Sequence, residues 1–109
     1  MSSKIISIAT DYSETPAGRY VDDGPYSGAR FRDEFLFPAL QEFDIVEVDL
    51  DGTLGYGSSF LEEAFGGLIR ERKMDLSSLK EKLKIKSSRR LYFDRVWQYL
   101  EDAQKQRSR

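Results

Sequence analysis

The 109-residue sequence contains no cysteine and no histidine. Without cysteine there is no disulfide framework, no thiolate nucleophile and no thiolate-held zinc or iron–sulfur group. Without histidine there is no Ser-His-Asp triad, no imidazole-ligated metal and no imidazole pH switch. Any metal would need oxygen ligands, the preference of Mg²⁺ and Ca²⁺. Long apolar runs are missing too. None approaches the roughly 20 residues that span a bilayer, and the apolar stretch at the start is too short for a secretory signal. These absences predict an intracellular, cytoplasmic protein with no membrane partner. Any catalysis would rest on carboxylates, lysine, tyrosine or hydroxyls.

What is present fits one folded domain. Hydrophobic residues make up 39% and charged residues 33% of the chain, a balance typical of globular proteins. The formal net charge of −2 conceals an uneven distribution. Residues 1–69 hold four basic and thirteen acidic residues, a balance of −9, whereas residues 70–109 hold thirteen basic and six acidic, a balance of +7. The expected domain covers residues 1–105, followed by a frayed basic tail at 106–109.

Periodicity gives the order of elements. Lys4 to Ala9 is a short β-rich run, and Arg19 to Val21 is a candidate second strand entering the Asp23-Gly24-Pro25 turn. Ser27 is placed to cap a helix whose apolar face is Phe31, Phe35, Leu36, Leu40 and Phe43. Pro38 lies inside that helix, removes a backbone bond to Glu34, and is expected to kink the helix or end its first segment. Ile45 to Asp51 alternates apolar and acidic residues as a half-buried strand does.

The loop Gly52 to Gly57 leads into a second helix, with Phe60, Leu61, Ala64, Phe65, Leu68 and Ile69 at helical spacing. Ser59 and Glu62 have the spacing of a capping box. The internal pair Gly66-Gly67 predicts close packing against the sheet. Met74 to Lys82 reads as a connection holding one helical turn, and Leu83 to Lys86 as a strand. A last helix is expected over 89–105, capped by Ser87 or Ser88. The order β-(β)-α-β-α-β-α predicts an α/β sheet of about four strands packed against three helices.

The string Val48-Asp49-Leu50-Asp51-Gly52-Thr53-Leu54 resembles the first motif of haloacid-dehalogenase-type phosphatases. That resemblance would make Asp49 a nucleophile, Asp51 an acid/base and Mg²⁺ their cofactor. The second acidic pair of that family, after a later strand, has no counterpart here, so the expectation is no catalytic residue, no metal and no cofactor.

A longer ordered set reads differently. It comprises Gly24-Pro-Tyr-Ser-Gly28, Arg30-Phe-Arg-Asp-Glu-Phe, Pro38-Ala-Leu, Val46 to Gly52, and Tyr56-Gly-Ser-Ser-Phe-Leu-Glu-Glu-Ala-Phe-Gly-Gly-Leu68. Over about residues 18–72 the chain resembles the bacterial STAS-like family of unknown function, small relatives of anti-sigma-factor antagonists. The resemblance implies a STAS-like fold and a non-catalytic regulatory module. In the antagonists a serine at the start of a helix is phosphorylated by an ATPase-fold kinase, and the modification switches partners. Ser58 and Ser59 occupy the matching junction, flanked by Gly57 and Phe60 where the antagonists have Asp-Ser-Ser-Gly. The other reading of these serines is helix capping alone.

Three further expectations concern partners. The polarised charge suits a phage or mobile-element inhibitor that blocks a host effector complex by surface binding. It also suits self-association into a homodimer, with the acidic part of one copy facing the basic part of another. Lys80, Lys82, Lys84, Lys86, Arg89, Arg90 and Arg95 could face phosphates, but the acidic remainder opposes nucleic acid, and a solvated basic face is the expectation. Arg30 and Arg32 stand in the first helix, where they could contact an anionic partner or pair with Asp22 and Asp23.

Overall fold

Three parallel strands form the sheet in the computed structural model, which describes residues 2–108. They are β1 (Ser3–Ser7), β2 (Ile45–Asp49) and β3 (Leu83–Lys86), in that spatial order. Ile6 lies opposite Val48, and Val48 opposite Ile85. Alternation therefore sends Ile6, Val46, Val48 and Leu83 to one face, where they are buried. The other face carries Ile5, Glu47, Lys84 and Lys86. Ile5 on it is 64% exposed. Parallel sheets are usually covered on both faces; this one is covered on one.

The covering layer is helical: α1 (28–42), α2 (58–70), α3 (Leu76–Lys82) and α4 (Arg90–Arg107), with one π-helical turn at Ile8–Tyr12. Phe31, Leu36, Phe60, Phe65, Leu68 and Leu100 from these helices join the buried sheet residues in one core. Among the described residues no helix is long and apolar enough to cross a membrane.

The α/β class and the alternation of strands and helices stand. The expected fourth strand does not form. Arg19 belongs to no strand, and Val21–Asp23 is a 3-10 turn. The carbonyls of Gly18 and Arg19 instead accept from Gly28 and Ala29, the first N–H groups of α1. A helix start takes the bonds a sheet ladder would have used. Ser27 does cap α1, accepting from the Arg30 N–H.

Pro38 neither ends α1 nor stops its hydrogen bonding. Residues Arg32–Leu36 widen into a π-helical turn, and Phe37 donates to the Arg32 carbonyl. The wider turn skips the bond that Pro38 cannot make. A third π-helical turn, Glu62–Gly66, lies in α2.

The C-terminal region is more ordered than its sequence suggests. Met74 to Lys82 holds a two-turn helix with Leu79 buried, in place of a connection. The last helix begins at Arg90 with no side-chain cap, because Ser88 bonds to Asp51 and Ser87 to Arg89. It runs through Arg107, so residues 106 and 107 are helical; Arg109 of the expected frayed tail lies outside the described residues. The Arg107 guanidinium donates to the Met74 carbonyl at 2.7 Å and to Asp75 at 3.1 Å. Gln104 accepts from the Leu76 N–H at 2.9 Å. The start of α3 and the end of α4 hold each other.

Candidate functional site

The exit of β2 builds the platform on which Ser58 and Ser59 stand. Gly52 and Gly55 turn the chain at φ 96° and 145°, angles that an L side chain rarely tolerates. Tyr56 then anchors the loop. Its hydroxyl donates to the Leu50 carbonyl at 2.7 Å, and its ring meets Tyr92 edge-on at 5.1 Å. Burial pushes the Tyr56 phenol up to about 12. Across the loop mouth, Asp51 accepts both the N–H and the hydroxyl of Ser88, at 2.8 and 2.9 Å. Those bonds hold its carboxyl below the usual range.

Gly57 is the N-cap of α2 and offers no capping side chain. Ser58 and Ser59 follow in the first turn, both exposed. Neither hydroxyl makes a hydrogen bond among the described residues, so the expected capping role is not theirs. The Ser59–Glu62 capping box is absent because the Glu62 carboxylate is taken by Arg19 and Arg70. No acidic residue occupies the opening turn of α2. Its first N–H groups and positive dipole end therefore have no side-chain acceptor among the described residues.

The other expected contact residues divide by depth. Gly57 is exposed and Arg30 half-exposed, whereas Phe60 is wholly in the core and Arg32 is only 6% exposed. Arg30 bonds Glu34 and the Pro25 carbonyl, and lies 5.6 Å from the Tyr12 ring centre. Arg32 pairs with Asp33 and Glu63. Neither arginine pairs with Asp22 or Asp23. Asp23 instead accepts from the N–H groups of Arg19 and Tyr20.

Asp49 and Asp51 form a strand exit. Asp49 accepts from the Asp51 N–H at 2.9 Å and faces Lys86 at 3.8 Å. Asp51 is turned away to Ser88, which ties the end of β2 to the segment after β3.

The segment that holds this junction also matches a sequence family. A family model described as a STAS-like domain of unknown function (DUF4325) matches residues 27–89. The chain belongs to this STAS-like family. The match begins at the cap of α1 and extends through β3, beyond the 18–72 segment that carries the resemblance in sequence. It leaves out β1 and all of α4. No curated protein and no solved structure matches the chain.

One feature of this STAS-like domain escaped the reading of its sequence. Glu63, 1% exposed, sits at the α1–α2 contact and accepts from Arg32, Arg70 and Arg19. Glu62 beside it bonds Arg70 at 2.8 Å and also pairs with Arg19. Burial works against ionisation of Glu62, yet Arg70 and Arg19 outweigh it and hold the carboxyl low. Gly66 and Gly67 make the room, though not against the sheet as expected. A Cβ at Gly66 would stand 2.5 Å from Glu62 Oε2, and one at Gly67 would collide with the Arg32 guanidinium. The signal in the sequence was an acidic pair inside an apolar stripe, four residues before a Gly-Gly pair.

Proposed function

We propose that this STAS-like domain is a non-catalytic, regulatory protein-interaction module, switched by phosphorylation at Ser58 or Ser59. The observation that carries the reading is the pair of exposed, unbonded serine hydroxyls at a bare helix N-terminus. A serine Oγ would take the γ-phosphoryl group of ATP, with loss of its proton and release of ADP. The phosphate adds about −1.5 to −2 charge. At this position the free N–H groups and helix dipole stabilise that charge. The modifying partner is an ATPase-fold kinase of the histidine-kinase type, and the added charge changes which protein the surface accepts.

The test is incubation with candidate kinases and ATP, read by intact mass. A species heavier by one phosphate is expected from the parent chain, and none from the Ser58→Ala, Ser59→Ala double variant. No added mass, or added mass that survives the double substitution, overturns the reading.

A further inference from the structure

A groove of about 440 Å³ runs between β3 and α4, away from the serine junction. Ile85, Phe93 and Trp97, all partly buried, form its apolar lining. Lys80 and Lys84 stand exposed at its rim, and neither is within ion-pair distance of an acidic side chain among the described residues. Ile85 and Phe93 also line an adjoining hollow of about 550 Å³ that includes Lys86, which faces Asp49 at 3.8 Å, and Arg90, which pairs with Asp94 at 2.9 Å.

The backbone beside this groove is open. Among the described residues β3 pairs with β2 alone, at the edge of the sheet. The Lys86 carbonyl accepts from the Leu50 N–H at 2.8 Å, so the peptide groups of Lys86 face β2. Strand alternation then turns those of Ile85 outward. An edge of this kind is a template for a further strand.

β2 shows what chemistry β3 accepts. Val46 and Val48 lie beside Leu83 and Ile85 on the buried face, while Glu47 and Asp49 lie beside Lys84 and Lys86 on the open face. We propose that the free edge of β3 docks an extended, acidic segment of a partner protein, which adds as a fourth strand. Its alternate apolar side chains seat on Ile85, Phe93 and Trp97, and its carboxylates meet Lys84 and Lys86 across the open face. Nucleic acid has no main-chain amides with which to pair a strand edge. A polypeptide is therefore the occupant. This surface is independent of serine phosphorylation, and its test reads other residues.

The test uses the full chain and an end-blocked peptide, Asp-Val-Glu-Ile-Asp-Val-Glu, with a control carrying lysine at each acidic position. Trp97, the one tryptophan in the chain, is the reporter. Saturable change in Trp97 emission is expected with the acidic peptide, with amide shifts concentrated at residues 83–86. Binding should weaken about tenfold or more in high salt and with the lysine peptide. The Lys84→Glu, Lys86→Glu variant, checked for folding by circular dichroism, should show the same loss.

Four results would overturn the proposal. They are no response at millimolar peptide, equal response to both peptides, shifts centred on β1, and displacement of the peptide by a single-stranded oligonucleotide. Trp97 emission that follows protein concentration alone, with dimers in sedimentation, would instead assign the groove to a second copy and also overturn it.

Discussion

Charge is used in opposite ways at the two sides of this molecule. At the α1–α2 contact, Arg32 and Glu63 are buried, and every charged group has a partner on a neighbouring element. At the β3–α4 side, Lys80 and Lys84 are exposed beside apolar surface, without an acidic partner among the described residues. The first arrangement fixes geometry, because a buried charge that loses its partner is costly. The second leaves charge available to another molecule, because a solvated lysine costs little to hold in readiness. The −9 and +7 balances along the chain do not become two opposed surfaces. Arg70 and Arg72, from the basic stretch, fold back onto Glu62, Glu63 and Asp33 of the acidic one. Lys80 and Lys84, without an acidic partner among the described residues, are the ones that mark a surface.

Substitutions can break that contrast. The largest expected loss comes from Glu63→Ala, which takes the buried carboxylate from Arg32 Nη1 and from Arg70 and should cost about 3–5 kcal/mol in urea unfolding. An Arg32→Met, Glu63→Leu double variant should recover most of that loss, since apolar groups of similar volume replace a buried ion pair well. If the double variant is no better than the single one, the pair contributes more than mutual neutralisation.

Acid should act next, and on the same side of the molecule. The carboxyls of Glu62 and Asp33 are held low in the folded chain, against burial, by Arg70 and Arg19 and by Arg32 and Arg72. Their contribution is full above the unfolded carboxyl pKa of about 4 and is lost as pH falls below it, through the lowered folded values. Unfolding midpoints measured down a pH series should therefore fall in that window. Glu62→Gln should flatten the fall, and an unchanged slope would remove Glu62 from the account.

The smallest effect is expected at the serines. Ser58→Ala should change stability by no more than about 0.5 kcal/mol, whereas loss of a true cap costs about 1 kcal/mol. Ser58→Asp should stabilise by about 0.3–1 kcal/mol through the helix dipole. Thermal melts of the three proteins at low salt would show the order Asp above Ser, with Ala close to Ser.

Local pattern was a good guide where one element decides its own structure. Val46 and Val48 alternating with Glu47 and Asp49 marked β2, and the Phe60 to Ile69 spacing marked α2. Ser27 could be identified as a cap because capping depends on a few neighbouring atoms. The same local logic misplaced Ser59, since its capping box required Glu62, and Glu62 is bonded by Arg70 two turns further along α2 and by Arg19 from far back in the chain. It also misplaced the glycine pair. Gly66 and Gly67 accommodate side chains of the ion-pair network, and nothing within α2 says that Arg32 arrives there from α1.

By itself the sequence determined the α/β class, the strand and helix order, and the STAS-like resemblance, because hydrophobic period and turn chemistry are properties of short windows. It also determined that cysteine and histidine chemistry are unavailable. Only the tertiary structure decided which charges are spent and which are free. Pairing joins residues such as Arg32 and Glu63, or Arg72 and Asp33, across separations no window spans. The three-stranded sheet was decided at the same level. The carbonyls of Gly18 and Arg19 went to the start of α1, and the free edge of β3 was left without a neighbour.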